Sequence, residues 1–150
     1  MTEVNPPRTI ATQRRRAQAI SLGDEATLEE GPELLQLLMR PFQGASFPLG
    51  RGIHPMTTVP LGLAIDAAIE AAGGYAVEVT TLRYASFSME AFTSNRRPLR
   101  ATARIARLGR RHVEASVEVW EDERQILRGR IGLVRVRGGR AVDLADRTSV

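Results

Sequence analysis

Residues Thr58–Gly74 read TVPLGLAIDAAIEAAGG, a pattern that predicts a helix apolar on nearly every side. Leu61, Leu63, Ala64, Ile65, Ala67, Ala68, Ile69, Ala71 and Ala72 leave no wide polar face, so the helix must be largely wrapped by protein. Thr57 or Thr58 can cap it, Pro60 fits its first turn, and Gly73-Gly74 ends it. Two acids interrupt the apolar run. Asp66 and Glu70 stand four residues apart and share one narrow stripe. A carboxylate beside a buried helix face must be solvated, paired or functional, because burying it alone is costly. Asp66 is therefore where chemistry should be sought, while Glu70, near the helix end, reads as solvated.

Beyond this helix the period changes to two. Tyr75–Phe87, Pro98–Leu108, Arg111–Glu121 and Gln125–Val136 are each long enough for a strand. Val113, Ala115, Val117 and Val119 alternate with Glu114, Ser116 and Glu118. Short polar turns at 108–110 and 122–124 join the last three segments into an antiparallel meander with one dry and one wet face. The dry face needs a cover, and the Thr58–Gly74 helix is the large apolar partner for it. Upstream, Pro32–Arg40 reads as a short amphipathic helix, and Phe42–Pro55, rich in Gly and Pro, as irregular structure. This predicts one α+β domain over 32–137. Residues 1–31 read as a polar, partly disordered N-terminal extension, and 138–150 as a polar C-terminal tail.

One hundred and fifty residues suffice for one domain with a real core. Cysteine is absent, which excludes disulfides, thiolate metal sites and a cysteine nucleophile. Two histidines, His54 and His112, without carboxylates at ligand spacing, give no case for a metal. No apolar run reaches the roughly 18 residues of a membrane span, and Arg14–Arg16 precede no apolar signal core. The chain is accordingly read as cytoplasmic, without a membrane partner. All 21 basic residues are arginine, matching the codon bias of a GC-rich bacterial genome. The net charge of +4 is a modest hint of an anionic ligand. A nucleic-acid module is disfavoured, because aromatics are only 5% and no recognised motif accompanies the arginines.

A buried helix carrying one acid, followed by long antiparallel strands, resembles the hotdog fold. More narrowly, the chain is similar to acyl-coenzyme A thioesterases of the phenylacetic-acid-pathway (PaaI-like) type over about residues 50–137. LGLAIDAAIEAAGG matches that family's helix, with Asp66 at its acidic position. VTTLRYASF matches the next strand, ATARIARLGRRHVEASVEVWED the central hairpin, and QILRGRIGLVRV the last strand with its small residues. The family places His-Gly-Gly at the helix start; here Thr57, Thr58 and Val59 stand there, and His54 lies twelve residues before Asp66.

The resemblance implies hydrolysis of acyl-CoA thioesters to free acid and CoA, without a cofactor. Asp66 would be general base or nucleophile, with a helix N-terminal amide, that of Thr58, as oxyanion donor. Thr80 matches a position where related enzymes orient water from the partner subunit. Thr57 and His54 fall at the substrate end of the helix. Arg96, Arg97, Arg110 and Arg111 could hold the phosphates of coenzyme A. The bland readings are a helix cap at Thr57-Thr58, an Asp66 paired with an arginine such as Arg83, a structural strand threonine at Thr80, and solvated arginines. Related proteins pair edge strands, so a homodimer or homotetramer is expected. The alternative is a non-catalytic hotdog protein that binds an acyl thioester or a protein partner.

Overall fold

The computed structural model describes residues 20–40, 55–74 and 79–144. Along the chain these form β1 (Glu25–Glu30), α1 (Glu33–Met39), α2 (Pro55–Ala71), β2 (Thr81–Met89), β3 (Leu99–Leu108), β4 (His112–Glu121), β5 (Arg124–Arg137) and β6 (Arg140–Val142). Five strands make an antiparallel sheet in the order β1-β3-β4-β5-β2, and β6 pairs with β5 beside it. The helix α2 lies across the sheet, packed on β1, β3, β4 and β5. None of the described helices is long and apolar enough to cross a membrane.

Close packing follows from residue size. Ala64, Ala67 and Ala68 of α2 are fully buried, as are Ala101 and Ala103 of β3 and Ala115 of β4. Methyl side chains on both surfaces let the helix backbone approach the sheet, and Leu28, Ile105, Val117, Leu127 and Leu133 fill the core around that contact. Gly73 and Gly74, with φ of 97° and 65°, turn the chain out of the helix in the left-handed region.

The helix begins at Pro55, three residues before Thr58. Proline suits the first helical position, and Thr57 and Thr58 lie within the first turn and are not its cap. Pro60 then sits in the second turn, where it withholds the N–H that the Met56 carbonyl would accept in a regular helix. Glu70 is buried, at 3% exposure, and is not the solvated residue its place near the helix end suggested.

Two boundaries also move. Residues 25–30 are a sheet strand: Ala26 and Leu28 point into the core while Glu25 and Thr27 face out, in register with Arg104 and Thr102 of β3. The domain therefore extends into the segment read as a polar extension. At the other end, Gly138 and Gly139, with φ of 57° and 77°, form a two-residue turn that folds β6 back on β5. The Leu144 amide donates to the Arg110 carbonyl, and the Arg110 guanidinium donates to Asp143 at 2.8 Å. The first part of the supposed tail is thus bound to the β3–β4 turn.

The connection from β2 to β3 is held by one buried carboxylate. Glu121, at the end of β4, accepts from the Thr93 hydroxyl, the Ser94 amide at 3.0 Å and Arg124 Nη2 at 2.9 Å. Burial alone would raise its carboxyl, but these donors together hold it below its ordinary value of 4.5. The stabilisation is thus fully present above that value and is lost as pH falls below it. Glu121→Ala, which strands three donors, should cost about 3 kcal/mol at pH 7. Urea denaturation at pH 7 and pH 3 checks this: the gap between wild type and variant should shrink at the acid pH.

Candidate functional site

Asp66 lies on the outward side of α2, where the stripe Thr58, Gly62, Asp66 leaves the sheet. Beside this stripe α1 and the end of β1 approach the helix and leave a cleft of about 280 Å³. Leu34 and Leu38 of α1 and Val59 and Leu63 of α2 give it apolar walls; Thr58, Gly62, Asp66 and Glu30 complete the lining. The volume is at the small end for ligand pockets. It has room for a group of a few carbon atoms and cannot enclose a whole coenzyme A.

Glu30 is the residue that sequence reasoning missed. It ends β1 at an inward position, following Ala26 and Leu28 in the strand's alternation, and so it faces the helix. Burial, first, and then the charges of Asp66 and Glu33 raise its carboxyl above the ordinary range. The signal was present in EATLEE: once Ala26 and Leu28 are taken as a dry face, Glu30 is the acid on that face.

The other expected residues are distributed unevenly. Thr58 lines the cleft, and Thr57 is half-buried beside it in the first turn. Because the helix starts at Pro55, Thr58 stands at the end of its first turn and not at its first residue. Thr58 and Asp66 are also eight residues apart, about 12 Å along the axis. That is more than one thioester carbonyl can bridge, so in a single chain the amide and the carboxylate do not serve the same carbonyl. His54 lies outside the described residues.

Thr80 immediately precedes β2, the edge strand opposite β1. The two edges are about 19 Å apart at the usual strand spacing, so Thr80 does not meet the cleft within one chain. Arg83 sits at a bulge of that same far strand, exposed, and is not placed to pair with Asp66. The four arginines separate into two groups. Arg96 and Arg97 precede β3 at the end where Leu99 pairs with Glu30, the end of the cleft. Gln36 of α1 donates to the Asn95 carbonyl at 2.7 Å, fixing this loop beside α1. Arg110 and Arg111 follow β3, beyond its ten residues, about 30 Å away, and Arg110 is engaged by Asp143. One coenzyme A cannot touch both pairs in one chain.

Neither a family model nor a curated protein matches the chain. Solved structures do. A mutant of the fluoroacetyl-CoA-specific thioesterase FlK superposes with a TM-score of 0.60 at 16% identity, over 78% of this chain and 88% of that one. Another structure of it holds fluoroacetate and CoA, with a TM-score of 0.58. The R-hydratase PhaJ1 from Pseudomonas aeruginosa gives 0.56 at 15% identity over 97% of each chain. An HP0420 homologue from Helicobacter felis gives 0.54 at 17% identity, over 79% and 76%. At such identities the likeness is one of fold.

Proposed function

The chain has the hotdog fold, and from that premise we propose that it hydrolyses short-chain acyl-CoA thioesters, as a PaaI-like enzyme with Asp66 as general base or nucleophile. The observation that carries the reading is the exposed carboxylate of Asp66 on a largely apolar, mostly covered helix, beside an apolar cleft of acyl size. The acyl group lies against Leu34, Leu38, Val59 and Leu63. Asp66 takes a proton from water as the hydroxide adds to the carbonyl carbon, or attacks that carbon directly. The C–S bond then breaks, releasing the CoA thiolate; where Asp66 attacks directly, the acyl group is left on it as a mixed anhydride, which water hydrolyses to the free acid and the regenerated carboxylate. Arg96 and Arg97 are the arginines at the cleft end and would hold the phosphates.

The oxyanion donor is assigned to a second copy, since the helix start and Asp66 of one chain are too far apart. Thr80 keeps its proposed role only if a second copy supplies it. The edge strand β2 favours such pairing: nine residues long, it is bonded to β5 on one side, with Leu82, Tyr84 and Phe87 exposed at 44%, 37% and 37%. A long exposed edge with apolar side chains is a template for another strand. Sedimentation should give a dimer or a higher even assembly. A Leu82→Asp, Phe87→Asp double variant should sediment as a monomer and lose turnover; a monomeric, fully active wild type would contradict the assignment.

A second reading is a hotdog protein that binds an acyl thioester or a protein partner without hydrolysing it. It is favoured by Val59, a β-branched residue lining the cleft where the resembled family has glycine. A panel of acyl-CoA substrates from two to eight carbons, assayed with wild type and with Asp66→Ala, decides between them. The hydrolase reading expects CoA release that the substitution abolishes. Equal inertness of both proteins with retained acyl-CoA binding would replace it with the binding reading.

A further inference from the structure

The segment between β2 and β3 crosses the end of the sheet, and every residue from 90 to 96 is tied down there. The Glu90 and Ala91 amides donate to the Ile126 carbonyl at 2.8 and 3.3 Å. The Phe92 carbonyl accepts from Arg124 Nη2 at 2.6 Å. Thr93 and Ser94 donate to Glu121, and the Asn95 carbonyl accepts from Gln36. The Arg96 amide donates to the Ser94 hydroxyl at 3.3 Å. On this fixed backbone the Phe92 side chain is 68% exposed, the most of any large hydrophobic residue described. Leaving a ring in water is unfavourable, yet the bonds on either side of Phe92 keep the segment from folding it away.

Arg96 and Arg97 follow on the same segment, both exposed. Arg97 approaches Asp122 at 3.8 Å, with the two side chains 68% and 66% exposed, a contact weak enough to yield to a phosphate. Along this end of the sheet the order is the cleft beside β1, then Arg96 and Arg97 before β3, then Phe92 at the start of β5. Acyl group, phosphates and adenine follow one another in the same order in an acyl-CoA. In the sheet order β1-β3-β4-β5, β1 and β5 lie about 14 Å apart. The twelve bonds from the sulfur of coenzyme A to its first phosphate oxygen match four extended residues, also about 14 Å.

We propose that Phe92 is a specificity-determining residue, the platform on which the adenine of coenzyme A stacks. The inference rests on the acyl-thioester reading and deepens it by naming the substrate class. The chain takes thioesters of coenzyme A in preference to thioesters on a pantetheine arm without a nucleotide, as carried by an acyl-carrier protein. A purine offers a π-face to the phenylalanine ring, and an aromatic side chain already held in place loses little freedom on stacking.

Butanoyl-CoA and butanoyl-pantetheine test this directly, because they share the acyl group and the arm and differ in the nucleotide. Phe92→Ala should lower kcat/KM for the CoA ester by about 10-fold, the size of one base–aromatic stack. The loss should appear in KM with kcat nearly unchanged, and the pantetheine ester should be unaffected. Phe92→Trp, which restores a stacking face, should bring the CoA ester back to at least the wild-type value. Circular dichroism and sedimentation verify that each variant is folded and assembled as wild type. An unchanged CoA ester in Phe92→Ala, or an equal loss on both esters, overturns the proposal. So does altered sedimentation of Phe92→Ala, which would make the ring a contact between copies.

The non-hydrolysable thioethers S-butyl-CoA and S-butylpantetheine separate this result from failure of the thioesterase reading. If no ester is turned over but Phe92→Ala weakens binding of the CoA thioether alone, the hydrolase reading falls and the stacking assignment stands. Equal weakening of the two thioethers, or no weakening of either, sinks the assignment whatever the turnover. Wild type that binds neither thioether sinks both.

Discussion

Gly129→Val should detach β2 from the sheet and lower stability by at least about 3 kcal/mol, the range of severe overpacking. Gly129 lies in β5 opposite Phe87. A β-carbon there would fall well inside van der Waals contact of the Ser86 carbonyl oxygen and 2.7 Å from both Cα and Cβ of Phe87. These neighbours are mostly backbone and cannot swing aside as a side-chain tip could. Gly132 gives the milder case: its β-carbon would overlap the ring of Tyr84, a half-exposed side chain that can rotate at the cost of its hydrogen bond to Glu114. Thermal unfolding checks the prediction. For a domain of this size the midpoint should drop by roughly 10 °C, and the variant should also lose self-association, since β2 is the proposed pairing edge.

Asp66→Asn should reduce kcat/KM for butanoyl-CoA by about 1,000-fold while leaving the melting temperature nearly unchanged. A positioned general base contributes about 100- to 10,000-fold. The carboxamide keeps the shape of the side chain but can neither take a proton from water nor attack the carbonyl. Asp66 is exposed on the outer stripe of its helix, so the fold should tolerate the exchange. Steady-state assays of CoA release, beside calorimetry of both proteins, separate a chemical loss from a structural one. A comparable fall in stability would assign Asp66 a structural role.

Much of the architecture is legible in the chain. The apolar girth around Ala64, Ala67 and Ala68 predicts a wrapped helix, and those residues are fully buried. Strict alternation in Val113–Val119 predicts a half-buried strand, and β4 follows it except at Glu114, which is buried where the alternation placed it on the wet face. What escaped has physical reasons. Only Ala26 and Leu28 mark the dry face of β1, two residues set among glutamates that favour helix over strand on propensity. β6 has three residues, too few for any period to register. The helix start was displaced because two prolines compete for the first turn, and Pro55, not Pro60, occupies it.

The candidate site was less legible than the fold, because sequence order does not report which ends of a strand meet. Arg97 and Arg111 read as similar basic pairs flanking one segment, yet β3 sets them at opposite ends of the sheet. Thr80 and Asp66 are close in sequence, but the sheet order puts β2 at the edge farthest from β1 and its glutamate. Glu30 was hidden in turn by the missed strand that presents it. Asp66 was found because acids on an apolar helix are visible without knowing the neighbours, and Glu70 stood out with it.

A crystal structure of the Asp66→Asn variant soaked with butanoyl-CoA tests the central assignment most directly. The account predicts the butanoyl tail among Leu34, Leu38, Val59 and Leu63, with its carbonyl carbon about 3.5 Å or less from the side chain at position 66, the separation of a near-attack geometry. An acyl group bound elsewhere on the domain, with the cleft beside α2 empty, would contradict it.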